Sequence, residues 1–287
     1  MNIHVNKNSS TIQYTIPKRK SVSAIVPVFN EEKTATGLVK SLINCDLTDE
    51  VICINDGSTD NSLAELEKFG DKIRLINHKI NRGKGFALAD GISAASGEIV
   101  VFFDADLVNL SNEHIQSLLN PILNNETRAV LGYIKSDKFT PNIFSRLTGQ
   151  RAYYRVDLLP HVQKLKKVRF GAEAYLNEQF SGKKVKKVPL LKLKGLFKYE
   201  KLSPPTAFKK YTKEAIEVMQ EIGKREGFLP EEFQIIDSFS KVNNIKVFIK
   251  RTNSLTNEKM KQFFQDYVLE YLRISRSWLE SLITHFK

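Results

Sequence analysis

The chain has 287 residues, of which 41% are hydrophobic and 10% aromatic, enough to bury a large core in one domain with or without an appendage. No apolar run reaches 18 residues and the start is polar, without a hydrophobic signal region, so neither a membrane span nor secretion is expected. The net charge of +12 is uneven, because Lys164 to Lys201 holds twelve lysines and arginines against three glutamates.

In chain order, residues 1–20 read as a flexible arm. "VSAIVPV" (22–28) predicts a strand, and "EEKTATGLVKSLI" a helix capped by Asn30 with Glu31 and Glu32 in its first turn. "EVICI" is the second strand, "NDGSTDNS" a turn cluster and "LAELEKF" a short helix. "KIRLI" is the third strand, "GFALADGISAA" a helix and "EIVVFF" the fourth strand. Such β-α alternation builds a mostly parallel α/β sheet covered by helices, with ligands held beyond the carboxyl ends of the strands.

From Ser111 the pattern changes. "SNEHIQSLLNPIL" predicts a capped helix, "RAVLGY" a strand, "TGQRAYYRVDLL" a strand entering a helix, "FGAEAYLNEQF" a helix and "KKVPLLKL" an extended segment. Pro204-Pro205 marks a boundary. Beyond it apolar residues recur at helical spacing, from Met260, Phe263 and Phe264 to Phe286, so 205–287 reads as a mainly helical appendage. Cys45 and Cys53 lie eight apart, with Cys53 inside apolar "VICI", which fits reduced thiols and a cytoplasmic setting.

The polar clusters fall at the strand ends. Asp104-Ala105-Asp106 ends the run "VVFF"; on extended backbone the two carboxylates point the same way and can share one hard cation. Mg²⁺ or Mn²⁺ held by one or two carboxylates keeps positions open for phosphate oxygens. "VPVFNEE" places Pro27, Phe29 and Glu31 after the first strand, "NDGSTD" places Asp56 after the second, and "NRGKGFAL" places Lys84 between two glycines before a helix. A carboxylate for a base N–H, acceptors for ribose hydroxyls and a cation for a diphosphate are thus all supplied at one sheet edge.

"SAIVPVFNEE", "VICINDGSTDNS" and "NRGKGFALADGISAASGEIVVFFDADL" together resemble the family-two nucleotide-sugar glycosyltransferases of GT-A fold. The resemblance implies that Pro27, Phe29 and Glu31 line the base and ribose pocket and that Asp56 contacts the base. It places Lys84 near base or phosphate, and Asp104, Ala105 and Asp106 at the metal–diphosphate. It divides the chain into a glycosyltransferase domain, 21–204, with a nucleotide-sugar half, 21–132, and an acceptor half, 133–204, followed by the helical appendage. The acceptor half is similar to polyprenyl-phosphate sugar synthases and glucosyl-phosphoglycerate synthase-like enzymes. That similarity implies Arg151 and Lys201 as phosphate or acceptor contacts, and Asp106 and Glu173 as the catalytic residues, Glu173 being an acidic residue facing the sugar. Val108 stands where some relatives carry Gln, and Lys198 and Tyr199 where others carry His, so no third metal ligand is assigned.

The expected partners are a UDP- or GDP-sugar donor and an acceptor such as a polyprenyl phosphate, a glycan or a small phosphorylated molecule. The basic segment would meet an anionic membrane surface peripherally, and the last helices would pack on the domain or in a homodimer. A nucleotidyltransferase would need a glycine-rich arginine loop after the first strand, which "VPVFNEE" lacks. A nucleic-acid reader would interleave exposed aromatics in a recognised module, so no nucleic acid is expected. His4, His78, His114, His161 and His285 show no metal-ligand spacing. A catalytically weak sugar-nucleotide-binding protein would keep the same residues and is the alternative reading.

Overall fold

The structure, a computed structural model, describes residues 19–135, 148–168, 171–181, 185–196, 203–242 and 244–265. Four parallel strands form its first half: β1 (Val22–Val28), β2 (Glu50–Asp56), β3 (Arg74–His78) and β4 (Ile99–Phe102). They alternate with α1 (Ala35–Ile43), α2 (Ser62–Glu67) and α3 (Lys84–Ala94). After α4 (Asn112–Leu123) come β5 (Ala129–Lys135) and β6 (Arg151–Tyr154), then α5 (Arg155–Leu158), α6 (Val162–Leu165), α7 (Ala172–Gln179) and β7 (Val185–Leu191). The seven strands lie in the order β3-β2-β1-β4-β6-β5-β7, and β6 alone runs antiparallel to its neighbours. This is the mostly parallel α/β sheet that the sequence predicts.

Period-two alternation divides the strand side chains between two cores. Val22, Ala24, Val26 and Val28 of β1 join Val101 and the apolar faces of α1 and α4. Ile25, Ile52, Ile54, Val100 and Phe102 face the other way, against α3, α6 and α7. β1, β2 and β4 are buried on both faces, which explains their near-continuous apolar runs, whereas β3 at the sheet edge is buried only at His78.

One helix start differs from expectation. Asn30 has φ 59° and lies in a turn, and α1 begins only at Ala35 after Thr34. Glu31 and Glu32 therefore sit before the helix, where their backbone N–H groups are taken by Ser62 and Asp60. Pro204 and Pro205 do not end an element but open the 23-residue α8 (Pro204–Glu226), where proline's missing N–H costs nothing. Gly227, at φ 72°, closes it. α9 (Pro230–Ser238), α10 (Ile245–Asn253) and α11 (Glu258–Phe264) follow. They share an apolar core with α8 in which the rings of Phe239 and Phe264 stack and Phe248 packs edge-on to both. The later part of the expected C-terminal stripe, Tyr267 to Phe286, lies outside the described residues, as does the arm up to residue 18.

Cys53 is in the middle of β2, and burial pushes its thiol up to about 12; Cys45 is buried too. We expect neither thiol of the native protein to react promptly with an aromatic disulfide reagent at about pH 8, and both to react in denaturant, because only the thiolate attacks. A fast-reacting Cys53 in the native protein would contradict the assigned position of β2.

Candidate active site

The carboxyl ends of β1 and β2 are tied into one unit. The Asn30 N–H donates to Ser58 Oγ (3.0 Å), and the Thr59 N–H donates back to Asn30 Oδ1 (2.8 Å). The Glu31 N–H donates to Ser62 Oγ (2.8 Å), and the Asn61 N–H to Glu32 Oε2 (3.0 Å). Asparagine suits the left-handed turn because its short side chain bonds locally. On this turn Pro27 and Glu31 are half-buried while the Phe29 ring is exposed, and Glu31 Oε2 accepts from the Thr34 hydroxyl.

Asp56, at the end of β2, is buried, and both its oxygens are engaged internally. Oδ1 faces His78 Nδ1 (2.9 Å) and accepts the Arg82 N–H (2.9 Å), while Oδ2 accepts the Gly83 N–H (2.8 Å). Asp56, the expected base contact, thus also shapes the next loop. Gly83, at φ 95°, turns the chain so that Lys84 becomes the first residue of α3.

Lys84 is the junction of the site. Its ammonium lies 2.5 Å from Asp104 Oδ1 and also pairs with Glu173 Oε1. Burial opposes the charge, but the two carboxylates outweigh it and hold the ammonium above the usual lysine range. For Asp104 burial likewise opposes ionisation; Lys84, then Gln150 and Arg151, outweigh it and hold the carboxyl below its ordinary range. Glu173, buried in the first turn of α7, belongs to this cluster rather than to the nearby surface lysines.

Strand register brings in the second half. Phe102 of β4 is opposite Arg151 of β6, so the residues entering β6 lie beside the end of β4. Gln150 Nε2 donates to Asp104 Oδ2 (3.1 Å). A Cβ on Gly149 would stand 2.1 Å from the same oxygen, so only glycine lets the carboxylate pass. Arg151 is itself buried. Its guanidinium donates to the Thr148 carbonyl, to Tyr153 Oη (3.2 Å) and to Asn177 Oδ1 (2.9 Å), so it acts on Asp104 through the protein interior. Gln150, Gly149 and His78 are contributors that the sequence reading passes over; the only signal for the first two is their place beside Arg151.

Asp104-Ala105-Asp106 is not extended. β4 ends at Phe102, and Ala105 and Asp106 form a turn, so pleat alternation does not set the directions of the two carboxylates. Ala105 is buried and Asp106 half-buried. The segment after β7 folds back alongside: the Leu196 N–H donates to the Asp106 carbonyl (2.9 Å), the Val108 N–H to the Lys194 carbonyl (3.0 Å), and Leu107 bridges Gly195. Lys201 lies outside the described residues. Among the described residues no group of three or more His, Cys, Asp or Glu could hold a metal ion. Two hard carboxylates with no soft ligand fit a Mg²⁺- or Mn²⁺-type ion that takes its other ligands from phosphate and water, and do not fit a closed zinc site.

Residues 23–177 match the family described as Glycosyl transferase family 2. Glucosyl-3-phosphoglycerate synthase of Mycobacterium tuberculosis is 32% identical over 116 residues, covering 37% of this chain and 35% of that protein. Dolichyl-phosphate beta-glucosyltransferase of Mus musculus is 37% identical over 101 residues, covering 30% of this chain and 31% of the relative. The chain therefore spans about a third of the length of these curated relatives. The solved structure of the mycobacterial synthase with Mn²⁺, UDP and glucosyl-3-phosphoglycerate matches with TM-score 0.52 at 24% identity, covering 62% of this chain and 72% of that one. A second structure of it, with Mg²⁺ and UDP, gives TM-score 0.51. At that identity the likeness concerns the fold.

Substituting Lys84→Met should leave Asp104 and Glu173 without their shared cation and cost about 3 kcal/mol at neutral pH. The Asp104 carboxyl is held low when folded, so its share of stability is present above the ordinary carboxylate range and fades as pH falls through the depressed folded value. Denaturant titrations of both proteins at about pH 7 and about pH 3, below the ordinary carboxylate range, should show the gap narrowing in acid. A gap that stays constant would contradict the ion-pair assignment.

Proposed function

Because the chain belongs to glycosyl transferase family 2, we propose that it transfers a sugar from a nucleotide-diphosphate sugar, a UDP-sugar in preference to a GDP-sugar, to a phosphate-bearing acceptor. The observation that carries this reading is the Asp104-Ala105-Asp106 turn at the end of β4, with Lys84, Gln150 and Glu173 gathered around Asp104. The choice of UDP follows the mycobacterial synthase, whose structures hold UDP-glucose with Mn²⁺.

In this reading the Pro27–Glu31 turn receives base and ribose, with Phe29 offering an exposed ring face and Glu31 an acceptor for hydroxyls. Asp106, with Asp104, would hold Mn²⁺ or Mg²⁺. That ion, when bound, neutralises charge gathering on the departing diphosphate. Lys84 brings a fixed positive charge to the same place at no cost in reorganisation. Glu173 faces the cluster from α7, where it can take a hydrogen bond from the sugar or the acceptor. Lys84, then Gln150 and the buried Arg151, keep Asp104 ionised.

The acceptor side would draw on the basic segment from Lys164 to Lys201, with Lys201 as a phosphate contact, to attract phosphate on a small acid or at an anionic membrane. Among the described residues no helix is long and apolar enough to cross a membrane. Residues 205–287 would serve as a helical appendage that packs on the catalytic domain or forms the contact of a homodimer.

Calorimetry with UDP and GDP, in Mn²⁺, Mg²⁺ or EDTA, tests the reading. We expect the cation to tighten UDP binding and Asp106→Asn to abolish that gain with the circular dichroism spectrum unchanged, since one hard ligand is lost. Equal UDP affinity in EDTA and Mn²⁺ would reject it. Release of UDP from a UDP-sugar in the presence of phosphoglyceric acid or a polyprenyl phosphate would then assign the acceptor.

A further inference from the structure

His78, the last residue of β3, is buried, with its side chain 6% exposed, yet both ring nitrogens meet carboxylates. Nδ1 is 2.9 Å from Asp56 Oδ1, and Nε2 is 3.0 Å from Asp90 Oδ2 on α3. Phe86 packs edge-on to the ring. Asp90 also pairs with Lys166 (2.8 Å), while Arg82 and Lys166 lie over Phe86, 3.2 and 4.9 Å from its centre. A histidine kept only to fill space would not need a carboxylate on each side, because burying such groups is costly unless they are paired for a purpose.

The purpose is visible in the other bonds of Asp56. Its two oxygens also accept the N–H groups of Arg82 and Gly83, the peptides leading directly into Lys84. Glycine stands on both sides of that lysine, so no neighbouring side chain fixes its backbone. A lysine ammonium rides on a flexible four-carbon stem, and its position depends on where the Cα is held.

We propose that His78 is a positioning residue for the site: by joining Asp56 on β2 to Asp90 on α3, it fixes the Arg82–Gly83 backbone and so sets Lys84 between Asp104 and Glu173. The effect on nucleotide rests on the glycosyltransferase reading above, whereas the effect on the loop does not. Misplacement of a catalytic group by about 1 Å can cost about 100-fold, so a loosened loop should be measurable.

The test compares the parent chain with His78→Leu, Asp90→Leu, Asp90→Asn, Lys84→Ala and the His78→Leu/Lys84→Ala double variant. Without any nucleotide, the Arg82 and Gly83 amides should exchange with deuterium at least about tenfold faster in His78→Leu and Asp90→Leu, as expected for losing a charged hydrogen-bond partner. Amides of β1 and β4 should be unchanged. Asp90→Asn keeps an acceptor oxygen and should stay close to the parent. With Mn²⁺, UDP affinity should fall about tenfold in His78→Leu while uridine affinity holds, and the double variant should bind UDP no more weakly than Lys84→Ala. If His78→Leu does not fold, Asp90→Leu, altered at a more exposed position, and its pairing with Lys84→Ala carry the same comparisons.

Unchanged exchange at Arg82 and Gly83, equal loss of UDP and uridine, or additive effects in the double variant would overturn the role of His78. A parent chain that binds neither UDP nor GDP, yet shows the exchange effect, would reject the glycosyltransferase reading and retain the positioning role.

Discussion

The ammonium of Lys84 between Asp104 and Glu173 is the contact on which the site depends. Each of the three charges comes from a different element: the turn after β4, the start of α3 and the first turn of α7. None is well placed by itself. A cation at a helix N-terminus opposes the dipole, and a carboxylate out of water is costly. Together they offset one another, and the sheet edge is built so that they must meet. Gly149 makes room for Asp104, Gln150 takes its second oxygen, and the buried guanidinium of Arg151 adds positive charge behind it. A site of this kind is preorganised: the charges that would face a departing diphosphate are already in position.

The fold was largely legible because its signals are local. Strand runs such as "VSAIVPV" and "EVICI" are apolar on both faces, and the turn residues between them are the ones that sharp turns require. The start of α1 was misplaced because Asn30 and the two glutamates look like a cap, while the cross-loop bonds to Ser58, Asp60 and Ser62 that hold them outside the helix come from a distant segment. The site residues at strand ends were legible for the same reason as the strands. Their partners were not. That Asp56 would spend its oxygens on His78, Arg82 and Gly83, or that Gln150 would meet Asp104, depends on the β2–β3 and β4–β6 register, which no spacing in the sequence states. Arg151 was identified as important by its place, but its burial, and hence its action through Asp104, follows from the antiparallel insertion of β6.

The C-terminal helices reach the site through α7. Arg225 of α8 pairs with Glu178 of α7 (3.0 Å) and Glu221 of its own helix (2.6 Å), and its guanidinium lies over the ring of Tyr175. The backbone at Gly171, where α7 begins, packs closely against the Glu221 side chain. The helix that presents Glu173 is thus held between the sheet and α8, so the helical region helps to hold Glu173 in place. Its own phenylalanine core lets it do so as a firm body.

The most direct measurement of the central claim is a crystal structure of this chain with UDP and Mn²⁺, with the metal located by its anomalous scattering. Manganese is expected to be bound by Asp106, with or without Asp104, and by the diphosphate, with the base resting on the Pro27–Glu31 segment and the Lys84 ammonium on the diphosphate side of the metal. Manganese bound away from the Asp104-Ala105-Asp106 turn, or UDP bound with no metal beside Asp106, would contradict it.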